Sequence, residues 1–317
     1  MTACPSQAIT KASLRWLLVA AIGWSFAGAA GAQANAKSVE SFADCPECPL
    51  MVKVPAGEFL MGSPAQEKGR EADEGPQHRV RLAAPLAVAI NKVTRGQYAA
   101  FVAATRRPDG DGCWVWDVGR GLWVKDAARN WRNPGFDQTD QHPVVCVSWD
   151  DAQAYAVWVS QKAGKRLRLL TEAEREYVMR AGSASSRPWG EDIEAACGYA
   201  NVADQTAAAK VQRIPTWIEC SDGYAYTSPV AAFKPNAFGL FDTMGNAWEW
   251  VEDCYHDNYQ GAPSDGSAWT TGACNERVFR GGSWDNYPRS TRSAFRYRGV
   301  PATRSSSVGF RIGRALP

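Results

Sequence analysis

Apolar residues repeat at helical spacing in three segments of the first two thirds of the chain. Each segment opens on a residue whose side chain can cap a helix, namely Thr94, Ser148 or Thr171. Asp151 and Glu174 follow Ser148 and Thr171 by three positions, as in a capping box. The pattern therefore predicts three helices. Their apolar faces comprise Tyr98, Phe101 and Val102 in the first, Ala152, Tyr155, Ala156 and Val159 in the second, and Tyr177, Val178 and Ala181 in the third.

Strand patterns are shorter. Residues 51–54 and 58–61 flank the turn sequence Pro55-Ala56-Gly57 and predict a hairpin. Residues 78–82 and 86–90 predict further strands. Beyond Gly182, which is placed to end the third helix, the chain has little periodicity and is rich in Gly, Trp, Asn and Pro. We expect disulfides, aromatic packing or bound ions to hold that part together.

The N-terminus has the pattern of a secretory signal. Residues 1–32 contain Lys11 and Arg15 but no acid, then an apolar run and the small triplet Ala30-Gly31-Ala32. The run is too short to span a bilayer comfortably, and no later stretch is predicted to cross a membrane. We expect cleavage after Ala32, a periplasmic or secreted protein, and a linker over residues 33–50.

Charge and histidine content exclude several classes of function. Removing two basic residues with the signal takes the formal charge of +2 to about zero (2 − 2 = 0), which argues against a nucleic-acid partner. The histidines are His78, His142 and His256, so the paired spacing of a zinc protease is absent. No P-loop, dinucleotide fingerprint or G-x-S-x-G motif occurs.

Cysteine usage agrees with export, because eight cysteines follow the predicted signal. Cys45-Pro46-Glu47-Cys48 could be a redox unit or half of a zinc site, but its irregular setting favours a structural disulfide. We expect neighbouring cysteines to pair. The expected disulfides are Cys45–Cys48, Cys113–Cys146, Cys197–Cys220 and Cys254–Cys274.

A series of landmarks resembles the formylglycine-generating enzyme family, also called sulfatase-modifying factors. They extend over residues 51–315, the predicted domain. The resemblance implies a compact α+β fold of the C-type-lectin-like kind, with few regular elements, three main helices and long ordered loops. The landmarks are Val54-Pro55-Ala56-Gly57-Glu58-Phe59, Val93-Thr94-Arg95-Gly96-Gln97-Tyr98, His142-Pro143-Val144, Arg168-Leu169-Leu170-Thr171-Glu172-Ala173-Glu174, Asn236-Ala237-Phe238-Gly239-Leu240-Phe241-Asp242, Gly245-Asn246-Ala247-Trp248-Glu249-Trp250, Arg280-Gly281-Gly282-Ser283-Trp284 and Gly309-Phe310-Arg311.

The resemblance also implies structural calcium. Calcium prefers six to eight oxygen ligands and accepts main-chain carbonyls from irregular loops. The alternative is that the acids cap turns or pair with arginine. The positions that match the family's ligands are Asn201, Val202, Asp222 and Tyr224 for one ion, and Asp242, Gly245, Ala247 and Glu249 for the other.

The family's activity depends on copper, held by two cysteines, which with oxygen converts a cysteine in a Cys-x-Pro-x-Arg segment of a sulfatase to formylglycine. In this chain Asn286 stands at the first of those positions, and the second is deleted or replaced near residues 288–291. Neither an amide nor a hydroxyl binds Cu(I) as a thiolate does. We therefore expect neither copper nor formylglycine generation by the family mechanism.

Ser283, Trp248 and Arg296 match residues that line the family's substrate groove, and Asn286 adjoins them. Nine arginines follow residue 276, and we expect most of them to be structural. Two functions remain open. The first is an exported, oxidoreductase-like tailoring enzyme that acts on a peptide or peptide-derived metabolite. The resemblance implies such a role for relatives linked to siderophore maturation. Asp285 or Glu249 would then serve as an acid or base. The second is a non-catalytic, calcium-braced lectin-like domain that presents Ser283, Trp284, Asn286 and Arg296 to a ligand.

Overall fold

The computed structural model of the protein describes residues 40–211 and 217–317. The predicted signal over residues 1–32 and the start of the predicted linker lie outside the described residues. Within the two described ranges, no helix has the length and apolar character needed to cross a bilayer.

Regular elements make up a minority of the described residues, and long ordered loops connect them. The α-helices of this part are α1 (Arg95–Thr105), α2 (Trp149–Ala163), α3 (Glu172–Arg180) and α4 (Gln205–Lys210). Its strands are β1 (Ser41–Phe42), β2 (Met51–Val54), β3 (Gly57–Met61), β4 (His78–Leu82), β5 (Leu86–Ala89), β6 (Cys113–Asp117), β7 (Leu122–Asp126), β8 (Arg168–Leu169), β9 (Trp248–Cys254), β10 (Arg277–Arg280), β11 (Arg296–Gly299), β12 (Val308–Phe310) and β13 (Ile312–Ala315). The α+β architecture expected from the sequence is confirmed.

The three predicted helices form where the capping patterns place them. The hydroxyls of Thr94, Ser148 and Thr171 each accept a hydrogen bond from the backbone N–H three residues later. Helix α3 ends at Arg180, and the left-handed turn that follows extends through Gly182. The short α4 was not predicted, although Asp204 caps it by accepting a hydrogen bond from the N–H of Ala207.

The predicted hairpin over residues 51–61 is not formed. Strand β2 pairs with β1 and β5, whereas β3 pairs with β4. The two strands thus belong to different sheets, because non-local partners bury β2 in the larger sheet, whose order is β1-β2-β5-β13-β8. Strands predicted near residues 78–82 and 86–90 are present as β4 and β5.

The C-terminal half contains a sheet that the sequence pattern did not indicate, with the order β11-β10-β9-β12. Strand β12 lies parallel to β9, and the chain then passes through Arg311 into β13 of the larger sheet. The Arg311 guanidinium donates to the carbonyls of Ala89 at 2.8 Å and Ile90 at 2.7 Å. Arg311 therefore joins the two sheets at the point where the chain crosses between them.

The main core lies where α1 and α2 pack near β12. The rings of Tyr155 and Phe310 have centroids 5.3 Å apart, and those of Phe101 and Tyr155 are 5.6 Å apart. All three side chains are buried, and the burial of each of the two phenylalanines stabilises the fold by about 1.5–3 kcal/mol. This core holds β12, and through it β9, in place beneath the candidate site.

The described part of the predicted linker belongs to the domain. Strand β1 pairs with β2, and the Asp44 carboxylate is held by Arg314 at 2.8 Å and Lys165 at 2.6 Å. A disulfide also closes the turn between Cys45 and Cys48. All the expected cysteine pairs are present: Cys45–Cys48, Cys113–Cys146, Cys197–Cys220 and Cys254–Cys274.

Candidate functional site

An aromatic cavity of about 580 Å³ opens beside the smaller sheet. Strands β9, β10 and β11 form one side, and the β6–β7 hairpin adds another. Its volume lies within the range typical of small-molecule sites. The aromatic residues that line it are Trp114, Trp123, Trp248, Phe279, Tyr287, Phe295 and Tyr297.

Trp248 is the aromatic centre of this cavity. Its ring lies 5.4 Å from that of Phe279 and 5.9 Å from that of Tyr297, measured between centroids. Trp248 is buried by these neighbours, whereas Tyr297 is 55% exposed and stands at the mouth. The sequence-predicted Trp248 therefore lies in the cavity wall, where a planar or apolar group could pack against the cluster.

Asn286 also lines the cavity, but both ends of its amide are engaged. Its Oδ1 accepts a hydrogen bond from the Ser283 N–H at 2.8 Å, and its Nδ2 donates to the Ser290 hydroxyl at 2.7 Å. Ser283 itself is fully buried beneath Asn286. The pair consequently shapes the floor of the cavity, and Ser283 does not reach the cavity surface.

Among the described residues that line the cavity, Asp285 is the only one with a carboxyl group, and its side chain is half-buried. The Ser283 hydroxyl lies within hydrogen-bond distance of both Asp285 and Asn286 and can donate to one of them at a time. Burial raises the pKa of Asp285, and the hydrogen bond from Ser283 offsets part of that effect. A half-buried acid of this kind is suited to exchange protons with a bound molecule.

Arg296, which the sequence placed in the pocket, lies elsewhere. Its Nε and Nη2 donate to the two oxygens of Glu172 at 2.6 and 2.9 Å, and its Nη1 donates to the carbonyls of Asp73 and His256. Alternate side chains of a strand point to opposite faces, and in β11 it is Tyr297 that faces the cavity. Arg296 therefore packs away from the cavity, on Tyr259 with 4.4 Å from Cζ to the ring centroid.

Trp284 is likewise buried rather than presented. Its ring lies 5.0 Å from that of Tyr226 and 5.8 Å from that of Phe136, and its Nε1 donates to the Ser306 carbonyl at 3.2 Å. The ring is 1% exposed, so it cannot contact a ligand directly. It supports Trp123, 6.2 Å away, which does line the cavity.

The arginines that follow residue 276 are mostly architectural. Arg280 donates to Glu172 and to Glu176, and Arg292 binds Glu74 and Glu67. Arg277 donates to the backbone carbonyl of Glu252. The carboxylate partners of the others are Glu71 for Arg289, Glu276 for Arg298, Asp151 for Arg304, Glu249 for Arg311 and Asp44 for Arg314. These contacts agree with the expectation that most of these arginines are structural, although their partners are more often carboxylates than carbonyls or aromatic rings.

Sequence reasoning missed the hairpin wall. Strands β6 and β7 pair antiparallel with Trp116 opposite Trp123, and their ring centroids are 6.1 Å apart. Trp114 and Trp123 reach the cavity from this hairpin. The available signal was the alternation of Trp and Val on both sides of residues 118–121, which is typical of a hairpin with one aromatic face.

The residues present do not fit the copper centre that the resemblance implies. Asn286 occupies the position of one thiolate, and its amide is bound to Ser283 and Ser290. Every cysteine in the described part of the chain is in a disulfide. Soft Cu(I) prefers thiolate sulfur, and no such ligand is available at this cavity among the described residues.

The first of the two calcium loops does fit the ion. The Asn201 Oδ1 is buried without a hydrogen-bond partner. Asp222 accepts from the N–H groups of Val202 at 3.1 Å and Tyr224 at 2.7 Å, and burial raises its pKa to about 7, with Asp204 adding repulsion. A divalent cation would satisfy the amide oxygen and compensate the acids. Asn201 and Asp222, with the carbonyls of Val202 and Tyr224, are the residues that would hold it.

The second calcium loop does not fit. Both oxygens of Glu249 are engaged by cations, with Lys92 Nζ at 2.6 Å, Arg175 Nε at 2.6 Å and Arg311 Nη2 at 3.2 Å. Asp242 accepts from the N–H of Ala231 at 2.9 Å. The Gly245 carbonyl accepts from the N–H of Ala247 at 2.9 Å. With both Glu249 oxygens bound to cations, the expected ligand set of Asp242, Gly245, Ala247 and Glu249 does not fit a calcium ion in this arrangement.

Comparison with known proteins agrees with the fold and with this family pattern. Residues 36–316 match the sulfatase-modifying factor enzyme 1-like domain. A formylglycine-generating enzyme of Streptomyces coelicolor is 35% identical over 289 residues, which are 82% of this chain and 87% of the relative. The inactive C-alpha-formylglycine-generating enzyme 2 of Bos taurus is 30% identical over 292 residues, 82% of this chain and 86% of the relative.

Among solved structures, PvdO from Pseudomonas aeruginosa superimposes with a TM-score of 0.75 at 42% identity, covering 88% of this chain and 99% of that protein. Treponema denticola variable protein 1 shares the fold, with a TM-score of 0.63 at 19% identity, covering 87% of this chain and 99% of that protein. The matched domain, the identities and the coverage lead to one conclusion: this chain belongs to the sulfatase-modifying factor family.

Proposed function

We propose that this protein is an exported tailoring enzyme that acts on a peptide or peptide-derived metabolite in the aromatic cavity. The observation that carries the proposal is the combination of a cavity of about 580 Å³, an aromatic wall around Trp248 and a half-buried acid, Asp285, on its surface. Pockets that pair apolar walls with few polar groups bind small organic groups and orient them.

Asp285 is the proposed proton acceptor. Its raised pKa makes the carboxylate a stronger base than an exposed aspartate, because desolvation disfavours the charged form. Ser283 stabilises the carboxylate by hydrogen bonding, and Asn286 fixes Ser283 through its backbone N–H. The aromatic wall excludes water from the bound group, which strengthens the interaction with Asp285.

Export is part of the proposal and rests on the signal pattern of residues 1–32. The four disulfides of the described chain support it, because such bonds persist in oxidising compartments. A calcium ion at the loop of Asn201 and Asp222 would be structural. Added calcium should raise the melting temperature of the mature protein, and Asp222→Ala, which removes the side-chain oxygens, should abolish that increase.

The experiment that tests the enzymatic proposal begins with the molecule that the mature protein retains on purification. Mass spectrometry identifies it, and its conversion is then followed with the unmodified protein and with Asp285→Asn. We expect turnover to fall by a factor of about 10²–10⁴, as for loss of a general base, while the ligand is still retained. Asp265→Asn is the matched control, since Asp265 is exposed and its hydrogen bonds are to Ser267. Equal turnover in Asp285→Asn and the unmodified protein would contradict the role of Asp285.

A non-catalytic, lectin-like binding domain is the second candidate. The observation in its favour is the 30% identity to a relative that is named as inactive. In this case the cavity retains its ligand through the wall around Trp248, and no product forms. Trp248→Ala would then release the ligand, while prolonged incubation of the unmodified protein would leave the ligand mass unchanged.

A further inference from the structure

Lys92 lies in an unusual place for a lysine. It follows β5, two positions before the Thr94 that caps α1, and its side chain is completely buried. The Nζ atom donates to Glu249 Oε1 at 2.6 Å. Lysine is rarely buried unless its charge is paired, so this ammonium is part of a specific arrangement.

The loop that Lys92 reaches is the second calcium loop of the family resemblance. The loop begins at Asp242 and ends at Glu249. Asp242 is 1% exposed, and burial raises its pKa, while the positive charge of Lys92 offsets part of that increase. Glu249 also binds Arg175 and Arg311, so three cations face two acids, Asp242 and Glu249. Burial by itself would raise the pKa of Glu249, but the three cations hold it below the ordinary range.

A calcium ion would add two positive charges to a buried group that already carries an excess of cations. All five charged side chains are almost completely buried, so water cannot screen the repulsion. Glu249 would also have to release one of its cations before an ion could bind. Calcium and the ammonium of Lys92 are therefore alternatives at this loop.

We infer that Lys92 is a built-in cation that replaces the second calcium ion and holds the loop from Asp242 to Glu249. The loop needs such support because Asp242, Gly245 and Asn246 have positive φ angles of 51°, 75° and 65°. A side chain on Gly245 would place Cβ 2.1 Å from the carbonyl oxygen of Asn201. Trp248 lies at the end of this loop, next to Glu249. By holding Glu249, Lys92 therefore keeps the cavity wall in position without a metal ion.

The ion count tests this inference, whichever reaction the cavity performs. Mature protein is stripped of metal, dialysed to equilibrium against calcium, and assayed for bound ion by atomic absorption. We expect Asp242→Ala, which removes the side-chain oxygen, to bind the same number of ions per chain as the unmodified protein, whether the first loop holds one ion or none. Any ion lost through Asp242→Ala would overturn the inference.

The second arm tests Lys92 itself by thermal unfolding in the presence of a chelator. Removing one partner of a buried ion pair is strongly destabilising, so Lys92→Met should lower the melting temperature by roughly 6–20 °C or prevent folding. Lys162→Met is the matched control, since Lys162 is partly exposed and lies 3.6 Å from Glu47. Equal melting temperatures for Lys92→Met, Lys162→Met and the unmodified protein would overturn the inference.

Discussion

Replacing Arg296 by methionine tests whether this arginine is architectural. The change keeps much of the apolar stem but removes the guanidinium, which binds both oxygens of Glu172 and the carbonyls of Asp73 and His256. Glu172 retains Arg280 at 2.8 Å. Burial by itself would raise the pKa of Glu172, and Arg296 and Arg280 together keep it low.

The expected loss follows from the geometry. Arg296 and Glu172 are both nearly inaccessible to solvent, with 0% and 3% side-chain exposure. Breaking a buried pair by removing one partner costs about 3–5 kcal/mol. At about 2–4 °C per kcal/mol for a domain of this size, the melting temperature should fall by roughly 6–20 °C.

Arg298→Met is the matched control on the same strand. Its ion pair with Glu276 at 2.9 Å is solvent-exposed, with 46% and 41% side-chain exposure. Such pairs contribute about 0–1 kcal/mol, so the control should melt within a few degrees of the unmodified protein. Circular dichroism during heating measures both variants. If Arg296→Met were no less stable than Arg298→Met, the assignment of Arg296 to the core would be refuted.

Two further perturbations probe the same framework. Burial raises the pKa of Asp253 to about 7, with Glu172 adding repulsion, so the folded state holds this proton more tightly than the unfolded state does. Asp253 should therefore make stability fall as pH rises from about 4 to about 7, and Asp253→Asn should flatten that dependence in urea titrations at pH 5 and pH 7; an unchanged dependence would count against this. Replacing Cys254 and Cys274 by serine opens a link with a sequence separation of 20 and should cost about 3 kcal/mol, measured by urea unfolding; a free energy of unfolding equal to that of the unmodified protein would argue against a structural disulfide.

The elements governed by local chemistry were predictable from the sequence. Helices α1, α2 and α3 begin at their capping hydroxyls because that interaction involves residues three positions apart. The disulfides followed from the order of the cysteines along the chain. Strand β2 was recognised as a strand, but its partner was not, because pairing with β5 brings together distant residues.

The candidate site was predictable only in part, since its arrangement depends on contacts between distant residues. Trp248 and Asn286 line the cavity, but Arg296 does not, because the sequence Arg-Tyr-Arg-Gly of β11 lacks an apolar alternation that would reveal which side faces inward. The ammonium of Lys92 is bound by Glu249, which lies 157 positions away. No local pattern distinguishes such a lysine from an exposed one.

The absence of thiolate ligands around Asn286 is tested most directly with a peptide. Purified mature protein is incubated with Cu(I), oxygen and a peptide that contains Cys-x-Pro-x-Arg, and the peptide mass is then measured. The cavity contains the Asn286 amide in place of a thiolate, and every cysteine of the described residues is in a disulfide, so the peptide cysteine should remain unchanged. Formation of the formylglycine aldehyde would contradict the account.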